Sequence, residues 1–289
     1  MAKEFETKTI DQQINILIDR GIEVEDRDFA YRVLKRIGLY RILMYGEDYK
    51  VGAESYREGA SFNRIYNIYS FDRELRSLIM KGIGDIEIAF RSYIGYTLSV
   101  NYGELGYTYR GNFINADYHR ELIQGIEREK SKSKRKNTVL KSYNIKGSRG
   151  VPIMLAVEIL PFVALWKLYS NLLPKDKGYI RKNFCPTDPV FIENWLHSLN
   201  NMRNECAHYG KIYKSDFHPT RVRECYDDLE ISENSLLAVL MAMKDLYPSK
   251  KEWRSFLIEL EALIIQYSID IDIVSLGFNN NIKISELYI

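Results

Sequence analysis

The run SFNRIYNIYSFDRELRSLIMKGIGDIEIAFRSYIGYTLSVN, residues 61 to 101, decides the fold. Its apolar residues Ile65, Ile68, Leu75, Leu78, Ile79, Ile86, Phe90 and Ile94 recur every three or four positions, the period of a helix that buries one stripe. Ser61 offers its hydroxyl to the first free backbone N–H groups as an N-cap. Gly82 and Gly84 each cost about 1 kcal/mol relative to alanine inside a helix, so a kink is expected there. Asp72 with Arg76 and Glu87 with Arg91 stand four residues apart in the acid-before-base order that supports a helix surface.

The same period runs outward in both directions. Upstream, Thr9 and Gln12 form a capping-box pattern, Ile10, Ile14, Leu17 and Ile18 follow as a stripe, and Gly21 supplies a stop. A second short helix fits Asp26 to Ile37, with Phe29, Val33, Leu34 and Ile37 on one face and Gly38 beyond it, making a helical hairpin. Downstream, residues 101 to 115 read as a Gly- and Tyr-rich loop and 117 to 130 as a helix running into the basic stretch SKSKRKN. A helix over 153 to 173 is expected to bend at Pro161, which lacks a backbone donor. Asp188-Pro189 opens another, with the apolar seam Phe191, Trp195, Leu199, Met202 and Cys206 and an end near Gly210. Helices over 235 to 247 and 252 to 267 precede an irregular tail containing Leu276-Gly277-Phe278. No alternation of period two is long enough to build a sheet, and no internal repeat is visible. The fold expected is therefore all-α.

Composition narrows the function classes. With 289 residues, 46% of them hydrophobic and 28% charged, the chain can bury a full core, and its 41 basic against 39 acidic residues leave a formal charge of +2. No global field points to nucleic acid or membrane, so any basic surface must be local. Cys185, Cys206 and Cys225 are spaced too widely for a metal clamp or disulfide framework and read as reduced thiols. The start MAKEFETKTIDQQ lacks the pattern of an export signal. The most apolar stretch, Val151 to Leu165, is interrupted by Glu158 and Pro161 and is shorter than a membrane span of roughly 20 residues. A cytoplasmic protein without membrane association is expected.

The sharpest local signal is Arg203-Asn204-Glu205-Cys206-Ala207-His208 at the end of the seam helix. At about 100° per residue, Asn204 and His208 share one row on the polar side, with Arg203 about a quarter-turn off the seam. A guanidinium fork suits phosphate, and an imidazole moves protons near neutral pH. RNA cleavage asks for those two abilities, because the ribose 2′-hydroxyl attacks its own phosphate and the protein need only shuttle protons and stabilise charge. The same spacing also arises by chance, in which case His208 merely caps the helix and Arg203 pairs with a carboxylate such as Glu87. The other histidines have blander settings: His119 and His218 lie in polar stretches, and His197 reads as an exposed helix residue. Trp166 and Trp195 are assigned to the core. No Walker loop, zinc-binding His-Glu-x-x-His pattern or nucleophile elbow occurs, and no cofactor or metal is expected.

Three blocks, FAYRVLKRIGLYRILMY (29 to 45), residues 61 to 96 of the long run, and WLHSLNNMRNECAHYGKIY (195 to 213), make the chain resemble the Abi-like group of bacterial abortive-infection proteins, of the AbiD/AbiF type, within the wider HEPN superfamily. The similarity covers about residues 10 to 215. Arg203, Asn204, Ala207 and His208 stand in the places of that group's motif, while Lys211 stands where arginine is usual and Tyr213 supplies the following aromatic. The resemblance implies an all-helical bundle of HEPN type, with residues 1–60 as an N-terminal hairpin and linker, 61–215 as the HEPN-like core and 216–289 as a C-terminal helical extension. It implies metal-independent cleavage of RNA in antiphage defence, with Arg203, Asn204 and His208 as catalytic residues and a homodimer that brings two motifs together. Glu87, Arg91, Lys211 and Tyr213 are expected to support them, Glu87 either by orienting Arg203 or His208 or as half of a surface ion pair. Lys130, Lys132, Lys134, Arg135 and Lys136, extended by Lys141, Lys146 and Arg149, are expected either to contact RNA or to form a solvated linker. Tyr102, Tyr107, Tyr109 and Arg110 either stack unpaired bases or cover the core. The alternatives are an RNA-binding protein that holds a structured noncoding RNA without cutting it, and an interaction module working through its N-terminal hairpin.

Overall fold

The computed structural model describes residues 8–136, 150–278 and 284–288, and among these it contains eleven α-helices and no strand beyond isolated bridges. The periodicity of the long run becomes α4, Phe62–Tyr102, an unbroken helix of 41 residues and about 60 Å. Ser61 caps it by accepting from the Arg64 N–H, and Ile65, Phe71, Leu75, Ile79, Ile83, Ile86, Phe90, Ile94 and Leu98 are fully buried along it. The kink expected at its glycines is absent. A Cβ at Gly82 would stand 2.5 Å from the Met243 side chain and 3.1 Å from Phe256, so this glycine serves close packing between helices rather than bending.

Around this axis the other helices bury their stripes. The N-terminal hairpin is α1 (Ile10–Asp19), capped as the sequence suggests by Thr9 with Gln12, and α2 (Arg27–Ile37), for which Asp26 is the N-cap rather than the first helical residue. Gly38, at φ +87°, turns the chain into a short α3 (Leu39–Leu43) that packs on α4. The connection to α4 buries Tyr45, Tyr49 and Tyr56. α5 (Ala116–Lys136) is longer than expected and carries the start of the basic run as helix. The expected bent helix is two helices, α6 (Ile153–Ile159) and α7 (Phe162–Ser170), because Leu160 adopts extended backbone ahead of Pro161, as a residue before proline prefers. α8 (Pro174–Asn183) has no counterpart in the sequence reading: its sequence PKDKGYIRKN offers only Ile180 and the paired Asp176 to the interior, too little for a visible stripe.

The motif helix is α9 (Pro189–Ala207), started by the Asp188 carboxylate and Pro189. Its seam buries Trp195, Leu199, Met202 and Cys206 against α4 and α7, with Phe191 half-buried. α10 (Leu236–Leu246) is buried nearly all round, and α11 (Lys250–Gln266) lies along α4. The Leu276-Gly277-Phe278 tail is buried too, with Gly277 at φ +97°, where a Cβ would stand 2.8 Å from the Ser235 side chain. One apolar cluster runs from Ile14 to Leu287. No helix among the described residues is long and apolar enough to cross a membrane.

Candidate functional site

α9 ends in a tight turn that presents the motif. His208 is the C-cap, the Gly210 N–H bonds the Glu205 carbonyl at 2.8 Å, and the Tyr209 N–H bonds that of Cys206 at 3.2 Å, the paired bonds of a Schellman turn. The left-handed position of such a turn usually falls to glycine. Here Tyr209 occupies it at φ +59°, a conformation costing an ordinary residue about 1 to 2 kcal/mol. Two arginines offset that cost by gripping the turn's carbonyls: Arg41 of α3 donates to the Tyr209 oxygen, and Arg76 of α4 donates to that of Gly210 at 3.0 Å.

Arg76 belongs to a buried hub. Asp72 is 0% exposed and accepts from Arg76, from the Tyr45 hydroxyl at 2.6 Å and from the backbone N–H groups of Ile212 and Tyr213 at 2.9 and 2.6 Å. A carboxylate with several donors satisfies its lone pairs and repays part of its desolvation. Burial works against the Arg76 charge, but Asp72 and the Tyr45 hydroxyl outweigh it and hold the guanidinium above its ordinary value. Burial, then Asp72, pushes the Tyr45 phenol up, and burial pushes the adjacent Cys206 thiol up to about 12. The surface pair expected of Asp72 and Arg76 is thus an internal clamp that ties residues 210 to 213 to α4.

Within the motif, Arg203 is half-buried and its Nη1 donates to the Asn204 Oδ1 at 3.4 Å. His208 is exposed, and its imidazole makes no hydrogen bond or ion pair to the described residues. Glu87 reaches neither of them. It pairs with Arg91, which also donates to the Val157 carbonyl of α6, so both residues brace α4 against α6. Their side chains are only 19% and 10% exposed, which is not a surface pair either.

Lys211 donates to the Met44 carbonyl at 2.9 Å and lies over the Tyr45 ring, and burial holds its ammonium below the ordinary value. Lys214 pairs with Asp48 at 2.8 Å. With Arg41, these contacts latch the segment after His208 to α3 and the linker that follows it. Tyr213 is buried, edge-on to Phe71, and its hydroxyl accepts from the Asp272 N–H at 2.8 Å.

Of the basic run, Lys130 and Lys132 bond Glu127 and Glu129 of the same helix at 3.3 and 2.8 Å. The side chains of Lys134, Arg135 and Lys136, together with Lys141, Lys146 and Arg149, lie outside the described residues. In the tyrosine loop, Tyr107 is buried with its hydroxyl on the Val151 carbonyl and Tyr102 bonds Asp176, while Tyr109 and Arg110 stay exposed.

Asn204 also lines a groove of about 670 Å³ between α9 and residues 215 to 218, together with Ser198, Asn201, Glu205, Lys211 and His218. A second groove of about 380 Å³ lies further back on α9, lined by Trp166, Glu193, Asn194, His197 and Arg221. The sequence reading passed over this region. His197 is half-buried between Trp166 and His218, with ring centroids 4.5 and 4.3 Å away, and burial, then His218, pulls its pKa down. Trp166, assigned to the core, is half-exposed at this groove. His119, read as part of a polar stretch, is buried with its Nε2 on the Tyr107 carbonyl at 3.0 Å. Only the helical row would have found the stripe: Glu193, Asn194, His197, Asn201, Asn204 and His208 fall within about 100° of one another around α9.

Among the described residues no group of three or more His, Cys, Asp or Glu side chains is placed to hold a metal. No curated protein and no solved structure matches the chain. A family model described as Abi-like protein matches residues 32–214, a span that contains α3, the Asp72–Arg76 hub, the turn they hold and the motif itself. The chain belongs to the Abi-like protein family, which implies a part in abortive infection.

Proposed function

We propose that this Abi-like protein is an endoribonuclease of antiphage defence, acting through Arg203, Asn204 and His208. The observation that carries the reading is the setting of His208: an exposed imidazole, unpartnered among the described residues, beside the Arg203–Asn204 pair, on a turn held by Arg41, Arg76 and Asp72. A surface histidine that only capped a helix would not call for a left-handed tyrosine and two arginine grips next to it.

In the reaction, the ribose 2′-oxygen bonds to its own phosphorus as an imidazole takes its proton. The bond to the 5′-oxygen then breaks as that oxygen receives a proton, leaving a 2′,3′-cyclic phosphate and a 5′-hydroxyl. Because the nucleophile is part of the substrate, no metal is required to generate one. Arg203 stabilises the charge that builds on the phosphorane, and its bond to Asn204 sets the direction of the fork. One histidine cannot serve both ends of the in-line step at once. His197 lies about 16 Å back along α9, eleven residues at 1.5 Å each, and His218 stands against His197 rather than beside His208. A second copy of the chain, related by a twofold axis, supplies the second His208.

The test compares wild type with His208→Ala and Arg203→Ala on purified protein and in bacteria, reading RNA ends. We expect cyclic-phosphate ends from wild type and a loss of about 10²- to 10⁴-fold with His208→Ala, with RNA affinity retained. Equal cleavage by all three would overturn the assignment. RNA bound by all three and cut by none would instead identify a protein that holds RNA without cleaving it.

A further inference from the structure

We infer that the polar stripe of α9, from Asn204 back to His197 and facing His218, is a subsite for unpaired RNA bases flanking the phosphate at the motif; this rests on the RNA-cleavage reading above. Three observations carry it. First, the two grooves meet where His197 and His218 touch, and Asn204 belongs both to the first groove and to the motif, so a strand leaving Arg203 and His208 enters the groove directly. From Asn204 to His197 the stripe is about 10 Å long, seven residues at 1.5 Å each, which accommodates one or two unstacked bases.

Second, the lining suits base edges better than phosphates. Its charges are mixed: Lys211 and Arg221 stand against Glu205, Asp216 and Glu193, and the Lys211 ammonium is already bonded to the Met44 carbonyl. The buried Ser198 hydroxyl already donates to the Pro219 carbonyl at 3.2 Å, and what remains to donate and accept is the Asn201 and Asn204 amides and two imidazoles. Such groups recognise the exposed edges of unstacked bases, which a duplex hides.

Third, the polar capacity here is unspent. The Asn201 amide has no hydrogen bond to the described residues. His218 Nδ1 meets the Pro219 carbonyl at 3.2 Å and Ser198 Oγ at 3.4 Å, leaving Nε2 without a partner among the described residues. Neighbouring Asn194, by contrast, is fully used in fixing the segment opposite, accepting from the Arg221 N–H at 2.8 Å and donating to the Pro219 carbonyl at 3.2 Å. The wall is therefore rigid while the groups facing the groove are open.

The experiment uses the full chain carrying His208→Ala and measures binding of a labelled unpaired RNA oligonucleotide and of the same sequence in a duplex. Asn201→Ala and His218→Ala are added singly. We expect each to weaken unpaired RNA about fivefold, the worth of one hydrogen bond to a base, with duplex binding unchanged. In the wild-type background the same changes should raise KM and leave kcat. Thermal midpoints near the parent's exclude misfolding. Unpaired-RNA binding unaffected by both changes overturns the subsite, even if wild type cleaves RNA. Groove-dependent binding with no cleavage by wild type supports the subsite and overturns the nuclease reading alone. Failure to bind unpaired RNA at all overturns both.

Discussion

Asp72 with Arg76 and Glu87 with Arg91 are one device written twice on α4, an acid four residues ahead of an arginine, and the fold puts them to different ends. The first pair lies at the crossing of α4 with the segment after the motif. It is buried outright, and its spare hydrogen bonds go to the backbone of residues 210 to 213. The second faces α6, keeps some solvent contact and spends its spare donor on the Val157 carbonyl. An ion pair's role is therefore set by which backbone groups need partners where it lands. Burial raises the desolvation cost of both charges, so the pair that persists there must be satisfied by further donors, as Asp72 is.

The comparison is broken most sharply at Asp72. Asp72→Ala strands the buried Arg76 and leaves the Ile212 and Tyr213 N–H groups without an acceptor, and removing one partner of such a pair costs about 3 to 5 kcal/mol. Urea unfolding should show a large fall in midpoint at an unchanged slope; a loss no greater than that of a surface pair would deny the hub its role. Glu87→Gln keeps a neutral acceptor for Arg91, which retains the Val157 carbonyl, so a cost of about 1 to 2 kcal/mol is expected. If the order of the two losses were reversed, the assignment of clamp and brace would be reversed with it.

Alkaline pH separates the two ends of α4 more gently. Burial raises the folded-state value of the Cys206 thiol from 9.0 to about 12. A group raised on folding stabilises fully below its unfolded value and loses that contribution as pH climbs toward the folded one. Stability should thus hold to about pH 9 and then decline, by about 1 kcal/mol at pH 10. Urea midpoints of wild type and Cys206→Ala should converge above pH 9; parallel curves would show that this thiol does not titrate with unfolding. The smallest stability effect is expected at the motif. His208→Ala removes an exposed ring with no polar partner among the described residues and should move stability by less than about 0.5 kcal/mol while cutting RNA cleavage by about 10²- to 10⁴-fold. A large loss of stability there would make His208 structural.

Much of this was legible beforehand, and the failures have causes. Caps at Thr9 and Ser61 are local bonds between neighbours in sequence, and both are present as read; the helix starts placed at Asp26 and Asp188 are right to a residue, each aspartate serving as the N-cap. α8 was missed because it buries little. The kink at Gly82 was wrong because a helical glycine looks the same whether it bends a helix or admits Met243 and Phe256. Of the two roles open to Glu87 in the sequence, a pair with Arg91 or the orientation of Arg203 or His208, the structure has the pair with Arg91, half-buried rather than at the surface. Arg41, Met44 and Asp48, which hold the turn and the segment after it, carry no signal in sequence, since their partners lie more than 160 residues away.

The sequence by itself determined the helical periodicity, the local caps and the order Arg203, Asn204, His208, because each depends on spacings of a few residues along one chain. Only the tertiary structure decided what those residues face. Burial, the partners of Asp72 and the meeting of His197 with His218 depend on which distant surfaces close over α4 and α9, and that is set by the packing of all the stripes together.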